Sequence, residues 1–281
     1  YAKQAARDGL LTFHHRHRVD ELVMEDGAAR GVRGTVLAPD DSARGVASNR
    51  DPIGDFELTA RAVVVTSGGI GADHDIVRRH WPERLGPPPK FMVAGVPAHV
   101  DGRMQFITEA AGGEIINPDR MWHYVEGLRN WDPIWENHGI RILPGPSSLW
   151  LDAAGNRLPA PYFPGFDTLG TLEHIMRSGH DYSWFVLTQR IIEKEFALSG
   201  SEQNPDLTGK DVRQVLGRAR KGAPGPVEAF KRHGEDFVVA RTLEELVRGM
   251  NELTGDGLID LESLRRTIVA RDNEIENDFT K

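Results

Sequence analysis

The apolar run Ala62-Val63-Val64-Val65 passes directly into Thr66-Ser67-Gly68-Gly69-Ile70-Gly71. Such a run has the composition of a strand buried on both faces in a parallel sheet, and glycines at its carboxyl end let the backbone come close to a ligand. Open α/β sheets hold nucleotides at that place. The segment lacks the complete G-x-G-x-x-G spacing, and no Lys-Ser or Lys-Thr follows to make a phosphate loop. Two readings therefore stand side by side: nucleotide contact by Ser67, Gly68 and Gly69, and a tight strand-to-helix turn that uses the same glycines. Other chemistries find less support. There is no cysteine, so thiol nucleophiles, disulfides and cysteine-ligated clusters are excluded within these residues. His14, His15 and His17 can place two imidazoles on one strand face, but no carboxylate pair stands at ligand spacing and there is no H-E-x-x-H, so no metal is expected. No G-x-S-x-G elbow points to a serine hydrolase.

The elements that would position these residues can be read from periodicity. A helix is expected from Tyr1 to Asp8, closed by Gly9, then strands Leu10–His14, Arg18–Met24 and Ala29–Leu37 with Glu25, Asp26 and Gly27 turning between the last two. Together they form a small antiparallel meander. Residues 38–55, polar with Pro39 and Pro52, read as an exposed loop, followed by a short strand at Phe56–Leu58. Asp73 starts a short helix to His80, and Pro82–Lys90 is a proline-rich crossing. A second helix, about Asp101–Ala111, carries Met104, Ile107 and Ala111 at helical spacing and stops at Gly112-Gly113.

From Asp119 to Trp150 the chain holds four of its six tryptophans (Trp122, Trp131, Trp135 and Trp150) with little periodicity, which places a domain boundary near Asn117: residues 1–117 and 118–281. Further on, the expected elements are a strand Leu149–Asp152, helix Thr171–Arg177, strand Ser183–Leu187 and helix Gln189–Leu198. An irregular stretch Gly200–Gly225 follows. Thr242 with Glu245 makes a capping box for a helix to Leu253, and Asp260 caps another through Asn277.

The chain has 281 residues, 39% of them hydrophobic, and a formal net charge of -8, which suits two modest cores and gives no reason to expect nucleic acid as a partner. The cluster His14, His15, Arg16, His17, Arg18 runs straight into Asp20 and Glu21 and is a local patch. No stretch approaches the ~20 apolar residues of a membrane span. The missing cysteines fit a reducing cytoplasm, the expected location. The first residue is Tyr1 within a helix, so both ends are expected to continue into a longer protein.

Several motifs recur together: His17-Arg18-Val19-Asp20-Glu21-Leu22-Val23 in the meander, the glycine-rich strand end, Val100-Asp101-Gly102-Arg103 opening a helix that closes in Ala110-Ala111-Gly112-Gly113, and Phe237 to Leu246 with Leu264 to Asn273 at the end. This combination resembles the fumarate reductase and succinate dehydrogenase flavoprotein family, whose architecture ketosteroid dehydrogenases share. Through Pro97 to Met104 and Gly145 to Trp150 it is most similar to the branch called FAD-binding dehydrogenases. The resemblance covers nearly the whole chain. It implies an α/β fold: part of a Rossmann-like FAD-binding domain with its meander, followed by an α+β cap over the substrate. It also implies FAD as cofactor, with Val19 meeting the adenine through its backbone, Ser67, Gly68 and Gly69 along the adenosine half, and Asp101 touching the cofactor. Apart from the resemblance, Val19 is a core strand residue and Asp101 a helix N-cap.

The chain departs from that family at two places. Where a His-Pro-Thr segment would bind a carboxylate it has Met121-Trp122-His123-Tyr124-Val125, and where a cap arginine would donate a proton it has Phe166-Asp167-Thr168. A dicarboxylate substrate is therefore not expected. Flavin dehydrogenation needs a base and an acid, for which His123, Tyr124 and Tyr182 are the candidates. Tyr182 stands beside His180 and Asp181, but an aromatic next to strand Ser183–Leu187 reads more readily as packing than as catalysis. The tryptophans would line an apolar, steroid-like pocket or form the core of an irregular domain. The expected activity is dehydrogenation or reduction of a carbon-carbon bond next to a carbonyl on a small molecule, with the electron acceptor open. These residues alone are expected to be inactive, since they lack both the N-terminal glycine fingerprint and the C-terminal segment that closes the flavin site. The rival is a non-catalytic binding module on a degenerate flavoprotein framework.

Overall fold

The computed structural model describes residues 1–42, 46–121, 123–199 and 222–279. The chain divides into two compact units, Tyr1–Asp73 with Pro97–Pro118 and His74–Val96 with Asp119–Lys281. Every sheet among the described residues is antiparallel.

Unit 1 opens with helix α1 (Ala2–Arg7), which Gly9 leaves at a positive φ of 71°. Its body is a three-stranded sheet in the order β1 (His17–Glu25), β2 (Ala28–Leu37) and β3 (Pro52–Thr59). Strands β1 and β2 join through Asp26-Gly27, both at positive φ, the geometry that suits a two-residue hairpin to the twist of its strands. The register breaks between Val19 and Glu21, so Asp20 sits in a bulge. Helix α2 (His74–Arg79) belongs to unit 2, whereas α3 (Arg103–Ala110) packs on β1 in unit 1 and ends as expected at Gly112, whose N–H donates to the Glu109 carbonyl.

Three expectations fail in unit 1. Leu10–His14 forms no strand, and the meander takes β3 as its third member, reaching back to Pro52 inside the stretch read as loop. That stretch is ordered by Asp40, which accepts from the Asn49 N–H and side-chain amide, and by Arg16, whose guanidinium donates to the carbonyls of Ala38 and Asn49 and to the side chains of Ser48 and Asn49. The run Ala62–Val65 is no strand either: Val64 is 83% exposed. A parallel strand is held by hydrogen bonds to neighbours on both sides, and no described strand lies beside it.

Unit 2 contains two further sheets, β4 (Gly127–Arg129), β5 (Gly139–Leu143) and β8 (Ala197–Ser199) in one, β6 (Leu149–Leu151) and β7 (Trp184–Val186) in the other. Its helices are α4 (Thr168–Arg177), α5 (Gln189–Lys194), α6 (Gly225–His233), α7 (Leu243–Thr254) and α8 (Leu261–Glu276). The single helix expected over Gln189–Leu198 is in fact α5 followed by β8. Phe196 and Leu198, 5% and 1% exposed, pack with Ile140, Ile142, Val227 and Phe230, and pairing with β5 outweighs helix propensity. Strand β6 alternates as a strand must: Leu149 and Leu151 face α7 and α8 through Val247, Met250 and Leu264, while Trp150 faces Leu158 and Ile175. The caps of α7 and α8 form as read, with Thr242 Oγ1 accepting from the Glu245 N–H and Asp260 Oδ1 from the Ser263 N–H. Glu245 reaches back to the N–H of Arg241, one residue before the cap. Most of Gly200–Gly225 and all of Trp122 lie outside the described residues. Among the described residues no helix is long and apolar enough to cross a membrane.

Candidate functional site

In unit 1 the segments singled out for cofactor contact come together. The Gly102 N–H donates to the Gly69 carbonyl at 2.9 Å, and the Ala72 N–H to the Val100 carbonyl at 3.0 Å, so the glycine turn and the Asp101 segment run side by side. Gly68 needs its positive φ of 91°, and a Cβ on Gly102, itself at φ 74°, would stand 2.6 Å from Ile70 Cγ2. Gly69 is different. Its φ is not in the left-handed region and an added Cβ would meet nothing within 4 Å, so the chain itself gives no reason for glycine there.

Asp101 accepts from the Arg103 N–H at 3.0 Å through Oδ1, but it is not the helix N-cap expected from the sequence: Gly102 holds that position, with no side-chain cap. The Arg103 guanidinium donates through Nη1 to the Val19 carbonyl at 3.3 Å and through Nη2 to Asp20 Oδ1. Asp20 also accepts from Arg18 Nε at 2.9 Å and Thr35 Oγ1 at 2.6 Å. Burial alone would raise the Asp20 carboxyl, but the donors Arg18, Thr35 and Arg103 outweigh it and hold the group well below the usual carboxylate range. Thus Val19, Gly69 and Asp101 are tied through two adjacent residues, Gly102 and Arg103.

The chemical candidates all lie in unit 2. Both ring nitrogens of His123 stand 3.1 Å from backbone carbonyls, Nδ1 from Met121 and Nε2 from Thr168 at the start of α4. Tyr124 is 46% exposed, with the Arg141 guanidinium 3.9 Å over its ring centre. Arg141 Nε in turn lies 3.9 Å from Oε2 of Glu126, a side chain only 2% exposed whose Oε1 accepts from the Gly165 N–H at 2.8 Å. An arginine therefore stands beside Tyr124 although none occupies Phe166–Thr168. Tyr182 donates to Asp256 in the turn between α7 and α8, not to His180 or Asp181. Burial and the Asp256 carboxylate push its phenol up to about 12.

Trp131, Trp135 and Trp150, the described members of the tryptophan group, make packing contacts. Trp135 stacks on the buried His138 at 3.9 Å and donates to the Ala94 carbonyl, and Trp150, 3% exposed, stacks on Phe185 and donates to Ser183 Oγ. Trp131 rests against His233. Glu126 and Arg141 escaped the sequence reading because their proximity depends on the β4–β5 pairing, and Arg103 lies 83 residues from Asp20 with no local signal to join them.

Residues 1–281 match the family model described as FAD binding domain. The chain belongs to that FAD-binding family. FAD is accordingly its cofactor, and the flavoprotein oxidoreductase resemblance holds. Similar proteins include a KsdD-like steroid dehydrogenase of Mycolicibacterium smegmatis, 58% identical over 281 residues, and KsdD-like steroid dehydrogenases of two Mycobacterium tuberculosis strains, 58% identical over 282 residues. All of this chain is covered in each case, but the chain spans about half the length of these relatives (51%, 50% and 50%).

Proposed function

We propose that this chain is part of an FAD-dependent dehydrogenase acting on a carbon-carbon bond next to a carbonyl, with a ketosteroid-like substrate. Residues 1–117 would be the partial Rossmann-like FAD-binding domain and residues 118–281 the substrate-side α+β cap. The observation that carries the reading is the tie between the glycine turn and the Asp101 segment, with Gly69 a glycine that no contact of its own chain requires. Identity of 58% to relatives named as steroid dehydrogenases supports the substrate class.

In this reading Val19, Ser67, Gly68, Gly69 and Asp101 hold the adenosine side of FAD. FAD, when bound, supplies the hydride acceptor. The residues available to handle protons are His123, Tyr124 and Tyr182, and their surroundings divide the work. Tyr182, pushed up to about 12 and donating to Asp256, serves as a hydrogen-bond donor and not as a base. His123 has both nitrogens engaged by carbonyls and holds the Thr168 end of α4 beside the following residue, Tyr124. Tyr124, the most exposed of the three and fixed by Arg141, is the group placed to touch substrate.

The test is the visible absorption spectrum of the natural full-length protein purified without added cofactor. Flavin bands that bleach on adding a 3-ketosteroid, and a Tyr124→Phe variant that keeps the bands but loses at least tenfold in turnover, are the expected results. A protein that stays colourless after incubation with FAD would favour the non-catalytic binding module. The 281 residues alone are expected to show neither stoichiometric flavin nor turnover.

A further inference from the structure

We infer that Asp20 and Arg103 are a positioning pair that sets the spacing between the β1 backbone and the glycine turn, and thereby the grip of unit 1 on the adenosine half of FAD. The inference rests on the flavin reading above. Asp20 occupies the bulge of β1, where an extra residue re-aims the side chain out of the regular alternation. There it meets donors from its own strand (Arg18), the neighbouring strand (Thr35) and α3 (Arg103). Arg103 is the first residue of α3, so its side chain reaches β1 while its backbone belongs to the turn that carries Asp101 and Gly102.

The pair sits at the start of α3. Here both of its ends coincide with proposed contact points: Arg103 Nη1 donates to the carbonyl of Val19, and the next residue back, Gly102, donates to Gly69. Helix α3 contains no fully buried side chain, so an apolar core does little to fix its position and the polar ties at its start count for more. Charge-assisted hydrogen bonds are the strong and directional kind such a spacer needs.

The experiment uses the natural full-length protein as wild type, Asp20→Asn, Arg103→Lys and the double variant. Apoprotein is titrated with FAD by flavin fluorescence and with ADP as a probe of the adenosine half, and thermal midpoints are taken in parallel. The Kd for both FAD and ADP is expected to rise about tenfold in each single variant, with the double variant no weaker than the weaker single, as for two residues acting through one contact. If Asp20→Asn does not fold, Thr35→Val removes a single donor to the same carboxylate and is expected to weaken both ligands about threefold. Variants that lower the thermal midpoint of the apoprotein but leave both Kd values at the wild-type level overturn the inference, because the pair is then structural only. A wild-type protein that takes up no FAD overturns the flavin reading and this inference with it.

Discussion

Tyr182 illustrates how a single partner decides what a residue can do. Beside His180 and Asp181 in sequence, it has two candidate partners, and only the folded chain reveals the Asp256 carboxylate as the acceptor. An unfolded tyrosine loses its proton near 10, whereas the folded Tyr182 keeps it to about 12. Between those values the folded state binds more protons than the unfolded one, so this contact stabilises fully below about 10 and its contribution is lost as pH rises to about 12. A phenolate absorbance titration of the full-length protein should show a tyrosine titrating near 12 that Tyr182→Phe removes. The same variant should flatten the decline of urea stability across that window. Loss of stability with an unchanged slope in the variant would assign the decline to other groups. The carboxylate Asp20 lies at the other end of the scale. With its pKa depressed, its stabilisation is present above the ordinary carboxylate value and fades only as pH falls well below it.

At the scale of elements, legibility followed the range of the interactions. Hairpin β1–β2, helix α3 with its glycine stop, and the caps of α7 and α8 were readable because each is decided within a few residues: Asp26-Gly27 for the turn, Thr242 and Asp260 for the caps. The stretch Gln189–Leu198 was misread because a helix and a short buried strand have similar apolar content, and β5 made the choice. These differences carry unequal energies. Phe230 on α6 is fully buried against Ile140, Ile192 and Leu198, so Phe230→Ala should cost ~3–5 kcal/mol. Thr242→Ala, which removes one cap hydrogen bond at the surface, should cost ~1 kcal/mol. Urea unfolding of both variants in the full-length protein would check the ranking, and comparable losses would mean that the core of unit 2 repacks around the missing ring.

For the whole molecule, the run Ala62–Val65 is the most informative disagreement, since its composition is that of a buried parallel strand and its Val64 is 83% exposed. Under the proposed Rossmann-like fold its neighbouring strands would come from outside these 281 residues, which span about half the length of the relatives. Amide hydrogen exchange should then find residues 62–65 unprotected in the isolated 281 residues and strongly protected in the full-length protein; fast exchange in both would remove them from any sheet. The same division separates the two sources of knowledge about this chain. Sequence by itself determined the FAD-binding family, the hairpin and the caps of α7 and α8, because these depend on residue type and on contacts a few positions away. Tertiary structure alone decided that Arg103 reaches Asp20, that Arg141 lies over Tyr124 and that Tyr182 donates to Asp256. Those partners are 83, 17 and 74 residues apart, and only packing of the strands and helices between them brings their charges within hydrogen-bonding or stacking distance.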